Sequence, residues 1–261
     1  MLIEDIIKVP NSAIVNIIIS KQDIFEATGM NKADRDYFVK YVKQIRWLYK
    51  FDNDSIRIKP YEDETKSYLE AELISIKLKK EFQDYNHNTG NFHRFDARLD
   101  RIVDILLRFI PYPILLCAEF ENEIKFYVSH ISESKQDYDK ITLDELIYTD
   151  WINTDNLDDF DYDLLVKLQL DNLNKNNVYT FYDDIVTAII QYNGSKQAGQ
   201  VVTLSSDEIQ EIMDEIKGID RKIDKLRVKI RKETNFNIQF DYQQEIHELN
   251  LQKRLLEEQL K

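Results

Sequence analysis

Cys117 is the one cysteine of the chain, so neither a disulfide framework nor a cysteine-based zinc cluster can form, and a reducing compartment, the cytoplasm, is the expected location. Five glycines and four prolines exclude collagen-like and low-complexity classes. The same scarcity of glycine leaves no GxxxxGK[ST] or GxGxxG loop to cradle a phosphate. No stretch approaches the roughly 18 apolar residues that span a bilayer, and the N-terminus lacks the basic region and small-residue cleavage site of an export signal. No membrane partner is therefore expected. What is present is 261 residues, 43% hydrophobic and 32% charged, enough to bury a real core as one domain or one domain with an appendage.

The net charge of −13 is concentrated in one segment. Residues 133–184 hold 14 Asp/Glu against 4 Lys/Arg, a net of −10. The densest part, Asp155 to Asp163, interleaves acids with Phe160 and Tyr162, a pattern that could imitate a phosphate backbone or form a solvated loop. An acidic protein repels nucleic acid in general. The local exception is Arg221, Lys222, Lys225, Arg227, Lys229, Arg231 and Lys232, opposed within that run by Asp224 alone, and it reads as a solvated helix face or a nucleic-acid contact.

Periodicity predicts an α+β body. Asn31 to Tyr41 reads as a helix capped by Asn31, and Val42 to Phe51 alternates as a strand before a turn at Asp52-Asn53-Asp54, with Ile56 and Ile58 as the return of a hairpin. Tyr68 to Lys79 reads as a long strand with a bulge, and Asp84 to Asn91 as a loop. Leu99, Ile102, Val103, Leu106 and Phe109 recur at helical spacing until Pro111 and Pro113 stop the helix. Ile114 to Phe120 and Ile124 to Ile131 form a hairpin through Glu121-Asn122, Leu143 to Trp151 adds an edge strand, and Tyr162 to Leu173 and Val178 to Tyr192 are helices. The expected organisation is a body over 1–192, with its acidic helical part at 133–192, a linker over 193–204 around Asn193 to Gly199, and a coiled coil over 205–261.

The tail carries the most specific pattern. Ile209, Ile212, Ile216, Ile219, Ile223, Leu226 and Ile230 follow the 3-4 spacing of a narrow coiled-coil seam, with Ser206 as N-cap. After a break at Thr234 to Asn237, Tyr242, Ile246, Leu249, Leu256 and Leu260 resume it, with Lys253 in the skipped position. Two such helices fold back as an antiparallel hairpin, or one long helix dimerises in parallel; the poor helix formers Asn235-Phe236-Asn237 favour the hairpin. These twelve apolar residues are the candidate partner-binding set.

Catalytic constellations are sparse. His87 and His93 match no common zinc spacing, His130 has no motif neighbour to make it a general base, and Cys117 lies in the apolar run PILLCAEF, where a thiolate would be desolvated. The order helix, three strands, helix, strand matches the restriction-endonuclease-like nuclease core, in which an Asp and an acidic-x-Lys pair bind a divalent metal that activates water. Asp54, Glu70, Glu72 and Lys77 are the candidates, with Mg2+ or Mn2+ as cofactor under that alternative and no cofactor otherwise. Lys77 stands five residues after Glu72, so a regular strand places the two on opposite faces. Glu119, Glu121 and Lys125 form a second acidic group.

Ile45-Arg46-Trp47-Leu48-Tyr49-Lys50, Ile110-Pro111-Tyr112-Pro113 and Lys232-Glu233-Thr234-Asn235-Phe236-Asn237 together resemble the bacterial family known as domain of unknown function 4391 across nearly the whole chain. The resemblance implies association with the DNA methyltransferases and helicases of restriction or antiphage defence islands, and it carries no catalytic residues with it. The expected protein is α+β, with an antiparallel or mixed sheet flanked by helices and a C-terminal antiparallel coiled-coil hairpin. It is expected to act as a non-catalytic accessory subunit that docks through the hairpin onto a helicase or methyltransferase, or onto itself, with indirect DNA contact. The alternative is a metal-dependent nuclease.

Overall fold

The computed structural model describes residues 3–82, 92–133 and 141–261. A short helix α1 (Ile3–Ile6) precedes strand β1 (Ile14–Ile19), helices α2 (Lys21–Thr28) and α3 (Lys32–Tyr41), and strand β2 (Val42–Phe51). Strands β3 (Tyr61–Glu62), β4 (Ser67–Tyr68) and β5 (Ala71–Leu78) follow, then helix α4 (Phe92–Phe109) and strands β6 (Ile114–Phe120) and β7 (Glu123–Val128). Four short strands, β8 (Ile131–Glu133), β9 (Ile141–Leu143), β10 (Ile147–Tyr148) and β11 (Ile152–Asn153), lead into α5 (Asp159–Lys167) and α6 (Val178–Ala198). The chain ends with α7 (Ser206–Lys232) and α8 (Phe236–Gln259). It divides into two compact units, Met1–Ile189 and Ile190–Lys261, with the boundary inside α6.

The first unit is built on a mixed seven-stranded sheet in the order β1-β2-β5-β6-β7-β10, with β11 also on β7. β5 and β6 are parallel and the other neighbours antiparallel. A parallel pair needs a crossover, and α4 supplies it. Its stripe of Leu99, Ile102, Val103 and Leu106 is buried against Ile45, Ile74, Ile76, Leu116 and Ala118, together with Ile24 of α2 and Phe38 of α3. The opposite sheet face carries Leu73 and Leu115, which line a small apolar pocket with Ile7, Leu168, Leu173, Phe181 and Ile185. Both faces are covered, so β5 and β6 read as apolar runs without clean alternation.

That double coverage, and not a bulge within it, explains the phase slip of the Tyr68–Lys79 stretch: β5 pairs in continuous register with β6 from Glu72↔Ile114 to Lys77↔Glu119. The irregularities lie in β2, at Val42/Gln44 and Trp47/Tyr49. Ile56 and Ile58 do not return as a strand. Asp52 Oδ1 instead accepts the backbone N–H groups of Asp54 (3.0 Å) and Ser55 (2.8 Å), closing a local turn. The third antiparallel strand is β1, whose run Ile14-Val15-Asn16-Ile17-Ile18-Ile19 pairs with β2 through Ile17↔Trp47, Ile18↔Arg46 and Ile19↔Ile45. The acids of the Asp155–Asp163 stretch are partly used locally: Asp158 accepts the Asp161 N–H at 2.9 Å and Asp161 accepts the Asp158 N–H at 3.1 Å, a capping box that starts α5.

In the second unit the expected linker is helical as far as Ala198. Gly194 does not break the helix; it allows a close approach, since a Cβ there would lie 2.7 Å from Ile209 Cγ2 of α7. The helix ends at Gly199, whose φ is +69°. α7 is capped by Ser205 and not Ser206, because only Ser205 has a carboxylate three residues on: Glu208 donates its N–H to Ser205 Oγ and accepts the Ser205 N–H at 3.0 Å.

α7 and α8 form the antiparallel hairpin. Gln239 reaches the Ile230 carbonyl (3.5 Å), Lys229 lies 5.4 Å from the Tyr242 ring centroid, and Lys253 bonds Asp220 (2.8 Å), so pairing runs backward along the two helices. Ile209, Ile216, Ile219, Ile223, Leu226, Leu249, Leu256 and Leu260 are buried, and Ile212, Ile230, Tyr242 and Ile246 are partly buried. The loop is held by Glu233, whose carboxylate accepts the N–H groups of Thr234 and Asn235 (2.9 Å each), and by Asn235, which caps α8. Among the described residues no helix is long and apolar enough to cross a membrane.

Candidate functional site

The four sequence-derived nuclease candidates do not converge. Lys50, near the end of β2, bonds Asp52 at 2.9 Å and Glu70 at 3.0 Å, which raises the lysine pKa and leaves both acids paired. Glu72, cross-strand from Lys50, is 5% exposed, and burial lifts its carboxyl to about 7, with Glu70 adding to the shift. Asp54 is exposed in the turn. Lys77 stands five strand positions from Glu72, roughly 16 Å along β5 and on the other face.

Lys77 belongs to a second polar cluster on that other face, toward the C-terminal ends of β5 and β6. Cross-strand register places Gln44 beside Lys77, Arg46 beside Ser75, and Lys77 beside Glu119. The Ser75 hydroxyl donates to Glu119 Oε1 at 2.5 Å, and Lys77 Nζ lies 3.7 Å from Glu119 Oε2. Arg46 reaches Glu4 of α1 at 3.4 Å and donates to Gln44 at 3.4 Å. Burial raises the Glu119 pKa, against the opposing pull of Ser75 and Lys77. Glu119 Oε2 and Arg46 Nε are buried without a hydrogen-bond partner.

This cluster occupies the position where an acidic-x-Lys pair would stand, but the residue two before Lys77 is Ser75, and the carboxylate comes from the adjacent strand. One buried carboxylate held by a serine and a lysine is a poor cradle for a divalent ion, which needs several oxygen ligands. Among the described residues no group of three or more His, Cys, Asp and Glu is placed to hold a metal. The residues present therefore do not fit the Mg2+ or Mn2+ of the nuclease alternative.

Two further buried polar groups have partners that sequence reasoning did not reach. His130 Nδ1 meets the Tyr68 hydroxyl at 2.9 Å and Nε2 meets Asp183 at 3.2 Å, while burial lowers the imidazole pKa. Tyr68 also accepts the Ile131 N–H at 3.0 Å. Lys125, 2% exposed, lies 3.5 Å from Asp100 and 4.4 Å from the Tyr148 ring centroid. No local motif marks these groups, since their partners lie 62, 53, 25 and 23 residues away in the chain. Cys117 is fully buried, and burial pushes its thiol well up, so it is unreactive. His87 lies outside the described residues, as does the Asp84–Asn91 loop, and the side chain of His93 is likewise outside them; His247 is exposed.

The hairpin is the other candidate. Its predicted partner-binding seam is consumed by the pairing of α7 with α8, leaving Phe236, Phe240, Leu251 and Leu255 outside, at 75%, 50%, 46% and 66% exposure. All seven cations of the basic run are exposed.

The fold and its two features define a mixed α/β sheet protein with a C-terminal helical hairpin. The chain belongs to the family described as Domain of unknown function (DUF4391), whose model matches residues 7–254. No curated protein and no solved structure matches it.

Proposed function

We propose that this protein is a non-catalytic accessory subunit of a bacterial DNA-targeting defence or restriction-modification-like system, docked through its hairpin onto a larger helicase or methyltransferase. The reading rests on the division of the nuclease candidates between two clusters, with Glu70 held by Lys50 and Lys77 held by Glu119 on the far face. The class of partner follows from the family resemblance. Because the seam is used internally, docking falls to the outward stripe of Leu251 and Leu255, one turn apart on α8.

Co-expression with a helicase or methyltransferase whose gene is found to neighbour this one, followed by size-exclusion chromatography, tests this reading. A stable complex should form and be lost in Leu251→Lys/Leu255→Lys. A variant that folds and still co-elutes would overturn the assigned surface, and failure of either enzyme to co-elute with the wild type would overturn the reading itself.

DNA cleavage by the wild type with Mg2+ or Mn2+ that disappears in Glu72→Ala would replace the accessory reading with the nuclease alternative.

A further inference from the structure

We propose that the tip of the hairpin binds single-stranded nucleic acid, with the last turns of α7 gripping phosphates and the first two turns of α8 stacking on bases. Residues 221–241 hold seven Lys/Arg against three Asp/Glu in a protein of net charge −13. Of the three acids, Asp224 pairs with Arg227 at 3.4 Å, Glu233 turns its carboxylate onto the N–H groups of the loop, and Asp241 is exposed. Among the described residues, Lys225, Arg231 and Lys232 have no ion-pair partner, and all three are exposed.

This arrangement works against the helix that carries it. Like charges at i,i+4, such as Lys225 with Lys229 and Arg227 with Arg231, cost an isolated helix about 0.2–0.5 kcal/mol per pair. The C-terminal dipole of α7 favours only the cations of the last turn and leaves Lys225 uncompensated. A bound polyanion removes the repulsion.

Charge alone would fit any polyanion, and the second feature narrows the choice. Phe236 and Phe240 stand one turn apart at the start of α8, 75% and 50% exposed, at the same end of the hairpin as the cations. Flat aromatic faces beside cations suit unpaired bases, because every base offers a π-face while its phosphate meets the lysines and arginines. In a duplex the bases are already stacked on one another. This surface lies about 16 Å or more along α8 from Leu251 and Leu255, by the helical rise of about 1.5 Å per residue, so it does not depend on the protein docking proposed above.

Fluorescence anisotropy of the full-length protein with a labelled 20-nucleotide single strand, and with the same sequence as a duplex, between 50 and 200 mM KCl tests the proposal. The single strand should bind more tightly than the duplex. Lys225→Gln/Arg231→Gln/Lys232→Gln should weaken binding and flatten the slope of log K against log salt by about 2, at about 0.7 per lost phosphate contact. Phe236→Ala/Phe240→Ala should weaken binding about fivefold or more per ring while leaving that slope unchanged. Circular dichroism verifies that the variants fold, and Leu251→Lys/Leu255→Lys should bind the single strand like the wild type. No binding at 50 mM KCl, equal affinity in the Phe variant, or tighter binding of a polyglutamate of equal charge would each overturn it, the last in favour of an acidic protein.

Discussion

Lys253 occupies a seam position of the hairpin where an apolar residue is expected, and its ammonium lies 2.8 Å from each carboxylate oxygen of Asp220 on the facing helix. A charge in a coiled-coil seam costs stability and restricts register. Here Asp220 offsets the cost and the pair specifies which residues of α7 and α8 lie opposite each other.

Since Lys253 and Asp220 are both partly exposed, solvent screens the pair, and Asp220→Ala should destabilise the hairpin by only about 0.5–1 kcal/mol. Lys253→Leu should be neutral or stabilising by about 1 kcal/mol, because an apolar residue completes the seam. Urea unfolding of the two variants measures both. Equal destabilisation by the two would show that the charge pair outweighs the apolar alternative.

Gly194→Ala gains about 1 kcal/mol of helix propensity but meets Ile209 Cγ2 at 2.7 Å. Overpacking of this kind costs about 1–3 kcal/mol, so the net effect should be a loss of stability. Coupling to Ile209→Ala checks the cause: in a double-mutant cycle the alanine at 194 should cost less when Ile209 has been truncated.

Glu72 has a folded-state pKa of about 7 against 4.5 for the ordinary group. Its stability contribution is therefore intact below pH 4.5 and declines as the pH rises through 7, because the buried carboxyl must ionise. Glu72→Gln should remove that decline. The variant should gain on the wild type between pH 4.5 and 7, reaching an advantage of about 3 kcal/mol at pH 8, at about 1.4 kcal/mol per pKa unit. Unfolding free energies across that range test it, and parallel pH profiles for the two proteins would refute it.

Ser75 supplies the hydrogen bond that Glu119 accepts in the interior. Ser75→Ala should cost about 1–3 kcal/mol by leaving that oxygen unsatisfied, and it should raise the Glu119 pKa further. Thermal unfolding gives the first effect and carboxylate-resolved NMR titration the second. An unchanged pKa would mean that Ser75 does not hold the carboxylate in its charged form.

Local patterns were enough where one helix face meets one core. The stripe of α4, the Asn31 cap of α3 and the turn at Glu233 to Asn235 follow from residues within a few positions of one another. β1 was not legible, because five apolar residues interrupted by Asn16, whose φ is +55°, alternate with no period, and the strand is identified only by its pairing with β2. Gly194 misled for a related reason. Glycine breaks helices by its entropy, but here a neighbouring isoleucine needs the space, and that neighbour is 15 residues away.

The amino-acid sequence by itself determined α3, α4, α7 and α8, the mixed α/β composition, the heptad seam and the basic run, all of which arise from short-range spacing. Tertiary structure alone decided which polar residues meet. Ser75 and Glu119 are 44 residues apart and are brought together by the parallel register of β5 and β6 across α4, whereas Glu72 and Lys77, five residues apart, are separated by the alternation of a single strand.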